Sequence, residues 1–328
     1  MLIPVLLFAL GLVLLIKGGD WFVDGATGIA HRFHIPELLI GATVVSIGTT
    51  LPEVMVSATS AVSGHGEIAY GNAIGSIICN TALIAALTVA IKPAAVGRRA
   101  LVTPIIFFFS AAAIYVTVAY TAGFFGRVIG FILLAIFAVY MGICIYTACK
   151  TPATVGVPEV AEAEKEGKAS RFGIWKELFF LVLGAALIAV GADLLVDNGT
   201  IIAEKMGVPE AVIALTFVAL GTSLPELVTA ITSLAKGHGA LSLGNIIGAN
   251  LFNLVLVSGV SVALSPFAIP DGKMIAGIPS SLVIDIPVML TVMGLLTVLA
   301  LIRGKLSRWQ GILLLGIYAA FCVVQFVL

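Results

Sequence analysis

Apolar runs of membrane-spanning length fill the chain, separated by short polar breaks. About 20 consecutive apolar residues are needed to cross the hydrocarbon core as a helix. Runs of that order occur near residues 2–24, 37–62, 68–92, 100–121 and 125–147. A second set lies near 177–199, 209–235, 240–265, 279–302 and 309–327. The runs are continuous rather than alternating ten-residue segments, which predicts helices and not barrel strands. The pattern predicts an all-α membrane protein of ten transmembrane helices in two groups of five. Between the groups, residues 150–176 (KTPATVGVPEVAEAEKEGKASRFGIWK) are polar, acidic and proline-punctuated. They read as a flexible linker, too short for a separate globular domain. The expected division is 1–149, linker 150–176 and 177–328.

Two of the runs break their own pattern. Residues 48–53 read GTTLPE and residues 221–226 read GTSLPE. Proline removes a helix hydrogen bond and crowds the preceding turn, and a carboxylate at membrane depth is costly and marks an ion or substrate pathway. The two stretches are copies. A shift of 173 residues with no gap superposes them, and it also places SGHG (63–66) on KGHG (236–239) and GNAIGSIICN (71–80) on GNIIGANLFN (244–253). From Gly11 to Asn80, 29 of 70 positions are identical to their shifted partners, so the chain carries an internal duplication. Five spans per copy is an odd number, so the second copy is expected to enter the membrane from the opposite side, an inverted-topology repeat.

Each proline should free a carbonyl, that of Gly48 by Pro52 and that of Gly221 by Pro225, and break helices 2 and 7 at the centre. Thr49 and Glu53 share a helix face, as do Thr222 and Glu226. A carboxylate, hydroxyls and loose carbonyls at one depth make an oxygen-only ligand set, suited to Na+ and Ca2+ rather than transition metals. In the next helix of each half, Ser76 and Asn80 face one way, with Ala249 and Asn253 as their repeat partners. The pairs Gly71/Gly75 and Gly244/Gly248 allow that helix to approach its neighbour closely.

Composition narrows the class further. The chain is 60 % hydrophobic and 10 % charged, with mean hydropathy +1.18. Zero formal net charge and the lack of a basic or aromatic face argue against a nucleic-acid partner. The N-terminal stretch lacks a basic region and a small-residue cleavage site, and reads as the first span rather than a signal peptide. Of the 17 Lys and Arg residues, thirteen fall on one predicted side, three (Arg127, Lys205 and Lys273) on the other, and Lys17 within the first span. That bias predicts a cytoplasmic linker and both termini outside. The four cysteines form no CxxC and read as packing residues. His65 and His238 read as loop-capping residues, since inverted topology puts them on opposite faces. The duplicated Asp20, Asp24, Asp193 and Asp197 read as helix-end capping or pairing groups.

GTTLPE with GNAIGSIICN, and GTSLPELVTA with GNIIGANLFN, resemble the two alpha-repeats of the calcium/cation antiporter superfamily, most of all its prokaryotic sodium/calcium exchangers. The resemblance covers essentially the whole chain, with motifs at 41–80 and 214–253. It implies a secondary active antiporter in the cell membrane, with Ca2+ and Na+ as transported ions and no prosthetic group. By this resemblance Glu53 and Glu226 are the central ligands, and Thr49, Thr50, Thr222 and Ser223 add oxygens. Backbone carbonyls near Ser46 and Ala219 join them, while Ser76, Asn80 and Asn253 line the site. Ala249 stands where such exchangers usually carry a serine that helps bind an outer Na+. Asn253 stands where potassium-dependent relatives carry aspartate, so K+-independent exchange is expected.

Two carboxylates also permit Ca2+/H+ antiport, the alternative reading, because two protons neutralise them as two Na+ do. An enzyme is not expected: no HExxH or GxSxG supplies a metal or nucleophile for an intramembrane hydrolase. A passive channel fits poorly with a charge-dense midplane site. The lipid bilayer is the only macroscopic partner implied, and the chain is expected to act as a monomer.

Overall fold

The computed structural model describes residues 2–93, 97–150, 171–206, 221–272 and 274–327. Helices account for most of them. They are α1 (Leu2–Arg32), α2 (Glu37–Val62), α3 (Gly66–Ile91), α4 (Arg98–Thr121), α5 (Arg127–Lys150) and α6 (Arg171–Lys205), followed by α7 (Leu224–Ala235), α8 (Gly239–Leu264), α9 (Ser281–Arg303) and α10 (Arg308–Val327). Among the described residues nine helices are long and apolar enough to cross a membrane, and α7 is shorter. The first half of the run expected at 209–235 lies outside the described residues, as does most of the 150–176 linker.

α3 and α8 are buried along most of their length, whereas α1, α5 and α10 turn large apolar faces outward. One core packs Tyr70, Phe108, Tyr115, Tyr140 and Phe252 around the upper parts of α3 and α8. A second gathers Ile84, Leu101, Ile247, Val292 and Leu296 at their other ends.

α1 and α6 form a separate antiparallel pair. Their 31 and 35 residues correspond to about 46 and about 52 Å of helix, well past a hydrocarbon core of about 30 Å. The span expected at 2–24 therefore ends too early, and the one at 177–199 is exceeded at both ends. The reason is that the turns after residue 24 stay helical, since a glycine face keeps α1 against its partner as far as Gly25, where a Cβ would meet the Leu181 nitrogen at 2.5 Å. A Cβ on Gly11 would meet the Gly191 carbonyl at 2.9 Å, and one on Gly18 the Gly184 carbonyl at 2.9 Å. Backbone touches backbone, as small residues permit. The pair lies across both motif helices, with Phe22 against Gly48 of α2 and Gly19 against Val228 and Thr232 of α7.

The two glycine-histidine loops sit at opposite ends of the bundle. Gly66 packs on Phe267, in the short antiparallel pair β1 (Phe124–Phe125) and β2 (Phe267–Ala268). Gly239 instead shares a small depression with Thr88 and Lys92, at the far end of α3. That second end collects the basic groups. Arg32 grips Glu177 through two hydrogen bonds of 2.9 and 3.3 Å, and Arg98 and Arg308 donate to the carbonyls of Ile302 and Ile91. Lys236 reaches Asp24 at 2.7 Å and Asp20 at 3.4 Å, so those aspartates are pairing groups as expected. Their copies Asp193 and Asp197 form no salt bridge among the described residues, because the repeat partner of Lys236 is Ser63. Neither His65 nor His238 caps its helix through the side chain. His238 turns away from the helix end to pair with Glu37 at 2.8 Å, with His31 3.9 Å from the same oxygen.

Two outcomes test this packing. Gly184→Ala places a methyl 2.4 Å from the Phe22 nitrogen, so detergent melting should show a loss of about 1–3 kcal/mol. Exposed Gly142→Ala, with open space around it, should be neutral or slightly stabilising. The second outcome concerns pH. The Glu37 hydrogen bond and charge, with help from Asp24, hold His238 above its ordinary value against burial and Lys236. A raised histidine stabilises fully below its unfolded value of about 6.5 and loses that contribution as pH climbs through the raised value. Wild type should therefore outmelt Glu37→Gln most at about pH 5–6, with the gap closing towards about pH 9. A gap independent of pH would contradict the pairing.

Candidate functional site

On α2, Ser46, Thr49, Thr50 and Glu53 lie at helical spacing on one face, all essentially buried. The opposite face carries Leu51, Met55 and Val56, which are exposed. In a membrane this arrangement puts the apolar face toward lipid and the polar face toward protein.

The expected break of helix 2 at Pro52 is not found. Ser46–Val62 is one α-helix with Pro52 inside it. Neighbouring helices pack the motif closely enough to hold the turn despite the missing donor. The irregularity falls one turn earlier, where Gly41–Val45 is a π-helical segment. The Ser46 hydroxyl donates back to the Gly41 carbonyl that opens this segment, at 2.7 Å. α8 repeats the device: Asn253–Val257 is π-helical, and the Ser258 hydroxyl donates to the Asn253 carbonyl at 3.1 Å. α3 has a third such segment, Asn80–Ala85. Both predicted asparagines thus open π turns, a feature common at functional sites.

In the second motif Pro225 behaves differently. Gly221–Ser223 form a turn, and α7 begins at Leu224 with Pro225 in its first turn, where a missing donor is harmless. Glu226 follows in the same turn, near the positive end of the helix dipole. Ser223 and Glu226 have the spacing of a capping box. Neither makes the capping bonds, and the Ser223 hydroxyl and both Glu226 oxygens have no protein partner.

That lack of partners is general at this locus. Thr50, Glu53, Asn80, Ser223, Glu226 and Asn253 supply ten of the seventeen buried side-chain oxygen and nitrogen atoms left without a hydrogen bond among the described residues. Each such atom costs about 1–3 kcal/mol, more where charged, so folding alone gives no reason to gather them. The atoms are oxygen-rich and acceptor-dominated, and the two carboxyls among them lie close enough to repel. Such donors fit a hard cation that takes six to eight oxygens. No group of three or more His, Cys, Asp or Glu side chains forms another metal cluster among the described residues.

The structure brings the two motifs together across the repeat boundary. The π segment opened by Asn253 packs on α2, and the one opened by Asn80 packs on α7. Gly244 and Gly248 permit this on one side: a Cβ on Gly248 would fall 2.3 Å from the Ser46 hydroxyl, and one on Gly244 2.2 Å from the Leu38 carbonyl. Ser76 is buried one turn before Asn80, and Thr222 is half-buried. Ala219 lies outside the described residues. Ala249 is fully buried and offers no side-chain oxygen.

Two residues were missed by the sequence reading. Asn72 donates to the Ser57 hydroxyl at 2.8 Å and the Glu53 carbonyl at 3.2 Å, and its Oδ1 accepts from Thr222 at 3.1 Å. Asn245 presents Oδ1 to Thr49 at 3.2 Å and to Ser46 at 3.3 Å. The signal was present, because Asn72 and Asn245 are identical repeat partners beside the paired glycines.

Known proteins resemble this chain along its whole length. The sequence profile of the family described as "Sodium/calcium exchanger protein" matches residues 3–146 and 176–327. The sodium/calcium exchanger MaX1 of Methanosarcina acetivorans is 30 % identical over 350 residues, with 98 % of each chain covered. An uncharacterised membrane protein of Methanocaldococcus jannaschii is 33 % identical, covering 95 % of this chain and 94 % of its own. A solved structure of the sodium-calcium exchanger NCX_Mj, soaked with 2.5 mM Na+ and 10 mM Sr2+, superposes with a TM-score of 0.80 at 31 % identity over 97 % of each chain. A multi-pass helical bundle with this duplicated motif and this similarity along its length is a member of the prokaryotic calcium/cation antiporter family, the sodium/calcium exchangers.

Proposed function

We propose that this chain exchanges Na+ for Ca2+ across the cytoplasmic membrane by alternating access, and that Glu53 and Glu226 are the shared ligands of both ions. The observation that carries the reading is the pair of buried carboxylates with no protein partner, together with the unpaired buried oxygens of Thr50, Ser223, Asn80 and Asn253 on the helices packed against each other. Thr49, Thr222, Ser76 and the carbonyl of Ser46 complete the proposed set. One Ca2+ cancels both charges, as do two Na+, and a third Na+ leaves one net positive charge. The exchange is therefore proposed to be electrogenic. An unoccupied site with two buried, mutually repelling charges resists crossing, which makes exchange obligatory.

The proposed architecture is ten helices in two inverted repeats, 1–149 and 177–328, joined by the linker. Two features support it. The α1–α6 contacts are reciprocal: Gly11 meets Gly191, the repeat copy of Gly18, and Gly18 meets Gly184, the repeat copy of Gly11. The equivalent loops also lie at opposite ends. The basic end is proposed to face the cytoplasm. Asn253 is neutral, which supports exchange without K+.

Proteoliposomes loaded with Na+ should take up 45Ca2+, and replacing Na+ with choline should abolish uptake. Uptake driven equally well by a proton gradient would favour Ca2+/H+ antiport instead. Glu53→Gln and Glu226→Gln should each lose transport. In detergent, Ca2+ at 100 times its Kd should stabilise wild type by about 2.7 kcal/mol, and neither variant should respond comparably. Added K+ should leave the rate unchanged.

A further inference from the structure

Asn72 and Asn245 each accept a hydrogen bond from the other repeat. Thr222 of the second motif donates to Asn72 in α3, and Thr49 of the first donates to Asn245 in α8. These are one contact made twice, since Thr49 and Thr222, and Asn72 and Asn245, are repeat copies. Each asparagine therefore holds a predicted ligand threonine that belongs to the other half of the chain. Asn72 does more: its Nδ2 also fixes the Glu53 carbonyl and the Ser57 hydroxyl, so one amide ties the carboxylate turn of motif one to the hydroxyl of motif two. The second copy is incomplete. Ser57 is matched by Ala230, and the Asn245 Nδ2, fully buried, has no partner.

We propose that Asn72 and Asn245 are positioning residues that set the spacing between the two ion-binding motifs, and that Ala230 leaves the second of these clamps weaker than the first. Neither asparagine donates a ligand atom in this arrangement: the Asn72 amide is fully occupied by protein groups, and Asn245 turns its Oδ1 to Ser46 and Thr49. Losing a clamp lets the oxygens of one motif drift from those of the other, and cation affinity falls because a ligand shell must be held to fractions of an ångström. The inference rests on the ion site proposed above.

The test measures two quantities in wild type, Asn72→Ala, Asn245→Ala, Ala230→Ser and the double variant Ala230→Ser/Asn245→Ala. One is the Ca2+-induced rise in detergent melting temperature, titrated to an apparent Kd. The other is KM and maximal rate for Na+-driven 45Ca2+ uptake. Asn72→Ala should raise the Ca2+ Kd and KM about tenfold and Asn245→Ala by less, with a much smaller change in maximal rate in both. Ala230→Ser supplies the missing acceptor, so it should tighten Ca2+ binding in wild type and do nothing for binding in the Asn245→Ala background. A serine that acts alike in both backgrounds, or alanine variants that melt earlier in the absence of Ca2+ while keeping their Kd and KM, would overturn the proposal. Because Kd is read without transport, a wild type that binds Ca2+ but does not carry it would defeat the exchange reading alone, and the asparagine comparison would still decide this one.

Discussion

Two carboxylates held near each other, away from water and without protein donors, set the terms for the rest of the molecule. Glu53 and Glu226 are fully buried with neither oxygen hydrogen-bonded. Such an arrangement is unfavourable by several kcal/mol per charge unless something else compensates. The surrounding structure is arranged to tolerate it. Glu226 sits in the first turn of α7, where the helix dipole favours an anion. Glu53 sits inside an unbroken helix and lacks that help. The two glutamates are equivalent in sequence and unequal in local electrostatics.

Close approach of backbones is the means of assembly. The helices that frame the site meet through glycines, Gly244 and Gly248 on α8 and Gly11, Gly18, Gly184 and Gly191 between α1 and α6. Lipid gives apolar helices no hydrophobic reason to associate, so close packing and hydrogen bonds must supply it. The polar contacts follow the same lines, with Ser46 and Thr49 of α2 reaching Asn245 exactly where α8 comes nearest. At the basic end, ion pairs such as Arg32–Glu177 and Lys236–Asp24 act where water and salt screen them.

Much of this was legible in the chain itself. The span pattern, the duplication and the identity of the two glutamates follow from hydropathy and from a shift of 173 residues. The local backbone did not. Pro52 and Pro225 sit in hexapeptides that differ at one position, yet one lies within a helix and the other begins one. What separates them is tertiary packing, which a hexapeptide does not encode. The π turns at Gly41, Asn80 and Asn253 were also invisible, because a one-residue slip in helical phase leaves no trace in a segment that is itself almost wholly buried. Asn72 and Asn245 were overlooked for another reason. Their value lies in partners on other helices, and a neutral amide inside an apolar run looks like many others.

The bonds from Thr49 to Asn245 and from Thr222 to Asn72 also bear on how the protein is made. Synthesis proceeds from the N-terminus, so α2 and α3 enter the membrane long before α8 exists. Until residue 245 has left the ribosome, the Thr49 hydroxyl has no asparagine to meet, and Asn72 waits in the same way for residue 222. The first half of the chain therefore reaches the bilayer as an unfinished surface, with polar groups that only the second half can satisfy. The proposed ion site is complete only once both halves have met.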